Sequence, residues 1–133
     1  MKMELELIRT LLMDMEARAC SNPKVSCHPA QIDGFTPQQI SYHYWLLDNG
    51  GYIVAEKVTK FDTEVEDLPD EYRPCCMTWK GQEFIRTLHD TDIWRQAVDA
   101  AKRGGTQSLE LVIEAGKRIA AKKLDKLFDM SST

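Results

Sequence analysis

The chain has 133 residues, of which 43% are hydrophobic and 29% are charged, the composition of an ordinary globular protein. This length predicts one domain with a substantial core, and no apolar run reaches the roughly 18 residues of a membrane span. The first residues lack the pattern of a secretory signal, so we expect a cytoplasmic protein with reduced cysteines.

The net charge of −4 is unevenly distributed along the chain. Residues 1–71 contain 13 acidic and 6 basic side chains (−7), whereas residues 72–133 contain 8 acidic and 11 basic ones (+3). Six carboxylates lie within residues 62–71. A run of this kind is most simply a solvated loop.

The first predicted element is an amphipathic helix from about residue 3 to 19. It is indicated by Leu5, Ile8, Leu12 and Met15, which recur at helical spacing. The segment that follows is rich in turn formers and leaves room for one short strand near residues 25–28.

Residues 36–49 form a predicted helix whose two ends are both specified. Thr36 suits the N-cap, Pro37 the first helical position, and Gln39 completes a capping box with Thr36. The Asn-Gly-Gly sequence at residues 49–51 tolerates left-handed dihedral angles, so the helix is expected to end there.

This helix carries aromatic side chains on two opposite faces. The inner face is predicted to comprise Ile40, His43, Tyr44 and Leu47. The outer face comprises Gln38, Tyr42, Trp45 and Asn49. Because Tyr and Trp are frequent interface anchors, we interpret the outer face as a protein-binding surface. The alternative is that the fourth or fifth predicted helix packs over Tyr42 and Trp45.

Two β-branched and aromatic segments follow, at residues 51–59 and 73–79. They predict antiparallel strands joined by the long acidic loop, so that they form a hairpin.

Three helices complete the chain. Thr78 is the predicted N-cap of a helix over residues 79–88, and Thr91 that of a helix from Asp92 to about Arg103. The last helix is expected to begin near residues 106–108. Its predicted inward residues are Leu109, Val112, Ile113, Gly116, Ile119, Ala120, Leu124 and Leu127. Its basic residues, which follow its acidic ones, are Lys117, Arg118, Lys122, Lys123 and Lys126.

The order of elements is typical of a winged helix with a shortened or absent middle helix. We therefore predict an α+β, mostly helical fold, with a small antiparallel β-hairpin wing and additional C-terminal helices. One domain is expected over residues 1–130, with a core unit at about 3–90 and a helical extension at about 91–128. A fold of this kind does not by itself assign a function.

Four segments resemble successive motifs of a family known as domain of unknown function 2513, which is common in phages and prophages. They are YHYWLLDNGGYI, MTWKGQEFIRTLHD, DIWRQAV and GGTQSLELVIEAGKRIA. The Thr-Trp-x-Gly-x-x-Phe segment at residues 78–84 is the most specific of these. The resemblance implies a winged-helix protein of mobile-element origin and supplies no catalytic residues.

No enzymatic motif is present in the sequence. There is no phosphate-binding Gly-x-x-x-x-Gly-Lys loop, no Gly-x-Ser-x-Gly elbow and no His-Glu-x-x-His pair. His28, His43 and His89 lie in separate predicted elements. We therefore predict that the protein is not an enzyme and uses no cofactor.

The cysteines raise the question of a metal site. Pairing of the first short strand with the second hairpin strand would bring Cys27 and His28 near Cys75 and Cys76. The spacing does not match a zinc motif, because adjacent strand residues point to opposite faces. We expect these cysteines to be small buried apolar residues and no metal to be bound.

A DNA-binding regulator is the alternative function. Amide and hydroxyl groups of Gln38, Gln39, Ser41 and Asn49 have the chemistry to contact base edges, and the basic residues of the last helix are candidate phosphate contacts. However, residues 35–51 contain no lysine or arginine, although phosphate neutralisation supplies most non-specific affinity. We favour a non-enzymatic module that acts by protein association, as a homodimer or on a host protein.

Overall fold

The computed structural model describes residues 1–58, 71–105 and 108–131, with side chains described as far as residue 129. Within these residues the chain forms five helices and a two-stranded antiparallel sheet, which confirms the mixed α+β, mostly helical class. The acidic residues 62–70 lie outside the described residues. The elements are α1 (Leu5–Ala17), α2 (Pro37–Asn49), β1 (Ile53–Val58), β2 (Glu71–Met77), α3 (Trp79–Leu88), α4 (Thr91–Arg103) and α5 (Leu109–Ser131).

The chain divides into two compact units, Met1–Gln82 and Glu83–Thr133. The first contains α1, α2 and the hairpin, and the second contains α4, α5 and most of α3. The predicted single domain with a helical extension from about residue 91 stays a prediction.

Helix α1 contributes the largest block of the core in the first unit. Its fully buried side chains are Leu7, Ile8, Leu11, Leu12 and Met15. The helix ends in a Schellman motif, in which the amide of Cys20 donates to the carbonyl oxygen of Met15 and that of Ala19 donates to Glu16. Cys20 is buried at this turn.

The hairpin pairs Ile53 with Met77 at its open end and contains a β-bulge between Val54 and Ala55. Pro74 lies opposite Ala55, next to this irregularity. Because proline has no amide hydrogen to donate, bulges and edges are the places where a sheet accommodates it. The carbonyl oxygen of Pro74 accepts a hydrogen bond of 2.7 Å from the amide of Cys27.

The expected strand at residues 25–28 is not formed, so that prediction is wrong. The preceding segment makes one isolated bridge to β2, between Ser21 and Cys76. A turn follows, because the Asn22 carbonyl accepts from the amide of Val25 and the Asn22 side chain accepts from that of Lys24. This turn ends the regular pairing with β2 after the Ser21 bridge. The next backbone contact with β2 is the hydrogen bond from Cys27 to Pro74.

In the second unit, α4 begins one residue earlier than predicted, and Thr91 is not its N-cap. The cap is Asp90, whose Oδ1 accepts from the amides of Asp92 and Ile93. Both residue types are good caps, but a carboxylate also interacts favourably with the positive end of the helix dipole. The Ile93 amide lowers the pKa of the Asp90 carboxyl accordingly.

Helix α5 corrects a further prediction. Val112 and Gly116 are buried as expected, but Leu124 and Leu127, predicted to face inward, are 53% and 64% exposed. The reason is length, since α5 has 23 residues and its neighbour α4 has 13. No helix within the described ranges is both long and apolar enough to cross a membrane.

Candidate protein-binding surface

The inner face of α2 is packed as the sequence predicts. Ile40, His43, Tyr44 and Leu47 are its buried side chains. Thr36 forms the predicted capping box, because its hydroxyl accepts from the Gln39 amide while the Gln39 side chain accepts from the Thr36 amide. The helix ends at Asn49, and Gly51 takes the left-handed conformation with φ of 84°.

The flanks of α2 are held by the hairpin. The Ser41 hydroxyl accepts a 2.8 Å hydrogen bond from the amide of Tyr72 in β2. One residue before the end of the helix, Asp48 Oδ1 accepts a hydrogen bond from the amide of Ala55 in β1 at 3.0 Å. The helix is therefore fixed to both strands without any contribution from its outward side chains.

The outward side chains form what we call the aromatic face of α2, which comprises Gln38, Tyr42, Trp45 and Asn49. Gln38 and Asn49 are exposed, Tyr42 is half-buried, and Trp45 is 38% exposed. The Tyr42 and Trp45 rings stack, with 5.8 Å between centroids and 25° between planes. Tyr42 also makes an edge contact with the buried His43 ring at 5.7 Å. Trp45 thus stacks on a ring that is itself supported, and 38% of its surface is exposed.

Trp79 is a second exposed tryptophan, which the sequence analysis missed. It is the first residue of α3 and is 75% exposed. Its neighbours hold α3 to the turn after α2, because the Thr78 hydroxyl donates to the Gly51 carbonyl and Lys80 Nζ donates to that of Gly50. Helical periodicity could have identified Trp79 as exposed, because position 79 lies opposite the buried face of α3.

Two of the four groups proposed to contact base edges are engaged in the fold. The Gln39 side chain completes the capping box, and the Ser41 hydroxyl binds the backbone of β2. Gln38 and Asn49 remain exposed. The polar groups of α2 that face outward are therefore fewer than the sequence suggests.

The predicted basic residues all lie on α5, in the second unit. Lys117 Nζ is 3.8 Å from a carboxylate oxygen of Glu83, and Arg118 Nε is 3.5 Å from one of Glu114. The last turn of the helix contains no basic residue. The other three predicted contacts are exposed: Lys122, Lys123 and Lys126.

The cysteine segments meet in space. The amide of Cys27 donates a hydrogen bond to the carbonyl oxygen of Pro74, the residue before Cys75. Burial raises the pKa of Cys20 to about 11, and a hydrogen bond to Cys27 adds to the effect. Burial also raises the pKa of Cys75. His28 is exposed. Across the described part of the chain, no group of three or more His, Cys, Asp or Glu side chains could hold a metal ion.

Comparison with known proteins agrees with the motifs at residues 42–53, 77–90 and 92–98. The model of the hypothetical-protein family DUF2513 matches residues 2–107 of the chain. The chain belongs to the DUF2513 family. An uncharacterised protein of Haemophilus influenzae strain Rd is 28% identical over 120 residues, which cover 90% of this chain and 92% of that protein. No solved structure matches this DUF2513 chain.

Proposed function

We propose that this protein is a non-enzymatic module that acts by protein association, with the aromatic face of α2 as its contact surface. The observation that carries the proposal is the position of Trp45, which remains 38% exposed while it stacks on Tyr42. Buried aromatic anchors of this type supply most of the binding energy in many interfaces.

The packing of α2 supports this assignment. Its inner face is buried, and Ser41 and Asp48 attach it to the hairpin. The helix therefore has anchors that do not involve the outward aromatic pair. A stacked pair on a rigid helix also loses little conformational entropy on binding, which favours its use in recognition.

We further propose that the first unit is a winged helix without the usual middle helix. Helix α1, helix α2 and the hairpin follow the winged-helix order, and the Ser21 bridge to Cys76 takes the place of the third strand. A cytoplasmic location and a phage or prophage origin, with a host protein as target, complete the proposal.

DNA binding is the second candidate function. The observation in its favour is that Lys122, Lys123 and Lys126 are exposed on α5. Against it, Asp125 lies between these lysines, Asp129 follows them, and α2 contains no lysine or arginine. Counterion release, the source of most non-specific affinity, requires several unpaired cations on one surface.

An electrophoretic shift with mixed duplex fragments at moderate salt separates the two functions. We expect weak binding at most. Tight, salt-sensitive binding that is lost when Lys122, Lys123 and Lys126 are changed to Gln would assign the protein to DNA. Sedimentation of Trp45→Ala tests association directly, and Met13→Ala is the control because Met13 is equally exposed, at 38%, on α1.

A further inference from the structure

Two cysteines lie at the ends of the segment that follows α1. Cys20 belongs to the Schellman motif at the end of the helix and is 6% exposed. Cys27 is half-buried, and residues 21–25 between the two cysteines are exposed. Both cysteines are free thiols. The segment therefore has a buried thiol at its start and an accessible one at its end.

Both ends of this segment are attached to the same strand. Ser21, the residue after Cys20, forms the isolated bridge to Cys76 in β2. The amide of Cys27 donates a hydrogen bond of 2.7 Å to the carbonyl oxygen of Pro74 in the same strand. Positions two apart on a strand are separated by about 7 Å. The fold thus returns Cys27 to the neighbourhood of Cys20 after the turn.

The two side chains are in contact, because a hydrogen bond joins the thiol of Cys20 to Cys27. A disulfide forms when the thiolate of one cysteine reaches a sulfur atom of another, so a direct contact between two thiols is the arrangement that precedes it. Cys75, which follows Pro74 in β2, is another cysteine near Cys27 and is the competing partner.

The two thiols differ in access and in acidity. Cys27 is reachable from solvent, whereas Cys20 is nearly covered. Burial raises the pKa of Cys20 to about 11, and its hydrogen bond to Cys27 adds to the effect. Because the thiolate is the form that attacks a disulfide, Cys20 is a slow nucleophile at neutral pH. A reagent in solution therefore meets Cys27 first, and Cys20 is placed to react with Cys27 afterwards.

We propose that Cys20 and Cys27 form a redox modification site that reacts with low-molecular-weight disulfides and closes to an intramolecular disulfide. The Cys27 thiolate attacks one sulfur of the small disulfide, which gives a mixed disulfide and releases one small thiolate. The Cys20 thiolate then attacks the Cys27 sulfur and releases the second. The two leaving thiolates take up the protons that the cysteines lose, so one cysteine pair is oxidised and one small disulfide is reduced to two thiols.

The new bond would tie the end of α1 to the chain that runs beside β2. A disulfide stabilises a fold mainly by restricting the unfolded chain. We therefore expect the oxidised protein to keep its fold and to unfold at a temperature several degrees higher than the reduced protein. A small thiol in excess reverses the reaction, so the modification records exposure to an oxidant.

The test is incubation of the full chain with oxidised glutathione, followed by thiol counting, peptide mapping without reduction and thermal unfolding. We expect the natural chain to lose two of its four thiols and to contain a bond between Cys20 and Cys27. Cys20→Ser should accumulate glutathione on Cys27, and Cys27→Ser should form no internal bond. Cys76→Ser is the matched control, because Cys76 is also half-buried, and it should close as the natural chain does.

Three results would overturn the proposal, and mapping of the natural chain decides even where a variant is unstable. The first is a bond between Cys27 and Cys75, which makes the strand cysteine the partner. The second is glutathione that stays on Cys27 in the natural chain as long as it does in Cys20→Ser. The third is a bond that forms only in urea or lowers the unfolding temperature, because either shows that the folded chain does not hold the two thiols in position.

Discussion

His43 Nε2 accepts a hydrogen bond of 2.8 Å from the backbone amide of Glu4, the N-cap residue of α1. The other ring nitrogen, Nδ1, donates to the Gln39 carbonyl at 2.6 Å, so the ring is the neutral tautomer with its proton on Nδ1. His43 has no exposed surface. One buried imidazole thus joins the first turn of α1 to the middle of α2, the helix that presents Trp45.

The first prediction concerns this imidazole. His43→Leu keeps a similar volume but removes the acceptor for the Glu4 amide, and an unsatisfied buried donor costs about 1 to 3 kcal/mol. We expect the free energy of unfolding in urea to fall by that amount. His28→Leu, at an exposed histidine, is the control and should change little. Equal effects of the two substitutions would show that the hydrogen bond between His43 and Glu4 does not help to hold α2 in place.

The second prediction concerns the end of α1, where Ala19 adopts a left-handed conformation with φ of 55°. A side chain with a Cβ pays about 1 to 2 kcal/mol there, which glycine does not. Part of the stability gained with glycine is offset because glycine loses more conformational entropy than alanine on folding. We expect Ala19→Gly to raise the free energy of unfolding by up to about 1 kcal/mol. Ala17→Gly, two residues earlier in the helix, should lower it by about 1 kcal/mol, and the same sign for both would contradict the Schellman assignment.

The third prediction concerns the Thr-Trp-x-Gly segment. A Cβ at Gly81 would collide with the backbone carbonyl oxygen of Tyr52. This oxygen cannot easily move away, because it also accepts a hydrogen bond from the Thr78 amide. We expect Gly81→Ala to lower stability by about 2 kcal/mol or more. At Gly116 the obstacle is Leu88 Cδ2 at 2.5 Å, the end of a flexible side chain. Gly116→Ala should therefore cost less, which thermal unfolding of the two variants would check.

A fourth prediction concerns alkaline pH. Burial raises the pKa of Cys20 from 9.0 to about 11 and that of Tyr44 from 10.0 to about 12. The folded protein therefore holds these protons more tightly than the unfolded chain does. Their contribution to stability is complete below about pH 9 and is lost as pH rises through the folded values.

The free energy of unfolding should thus be nearly constant from neutral pH to about pH 9 and fall between about pH 9 and 12. Tyr44→Phe should reduce the slope in the upper part of this range, although it also removes the acceptor for the Ala30 amide. Cys20→Ala should reduce it in the lower part. If the free energy of unfolding falls with the same slope in both variants and in the natural chain, Cys20 and Tyr44 are not the cause of the loss of stability.

Local signals made α2 predictable. Its cap, its first proline and its final glycines act within a few residues, so the sequence specifies both ends and the buried face. The N-cap of α4 was predicted one residue too late because Asp90 and Thr91 are both good cap residues. The backbone dihedral angles, which are extended at Asp90, decide which of the two caps the helix. The expected strand at residues 25–28 failed because one bridge at Ser21 is all that the turn after it permits.

The candidate surfaces show what periodicity leaves undecided. A period of 3.6 residues predicted that Leu124 and Leu127 face inward, and this prediction is wrong, because periodicity contains no information on whether a neighbouring helix reaches that far. The exposed fraction of Trp45 depends in the same way on long-range packing. Trp79 was predictable from the wheel of α3, because it lies opposite Gly81 and Phe84.

The most direct test of the proposed contact surface combines two measurements on Trp45→Ala, with Met13→Ala as control. The account predicts that association with a second copy or a partner protein weakens by about 2 kcal/mol or more, while the free energy of unfolding of the monomer changes by less than about 1 kcal/mol, as is usual for side chains outside the core. A loss of about 3 to 5 kcal/mol of folding stability with unchanged association would contradict it, because that is the result of removing a core aromatic.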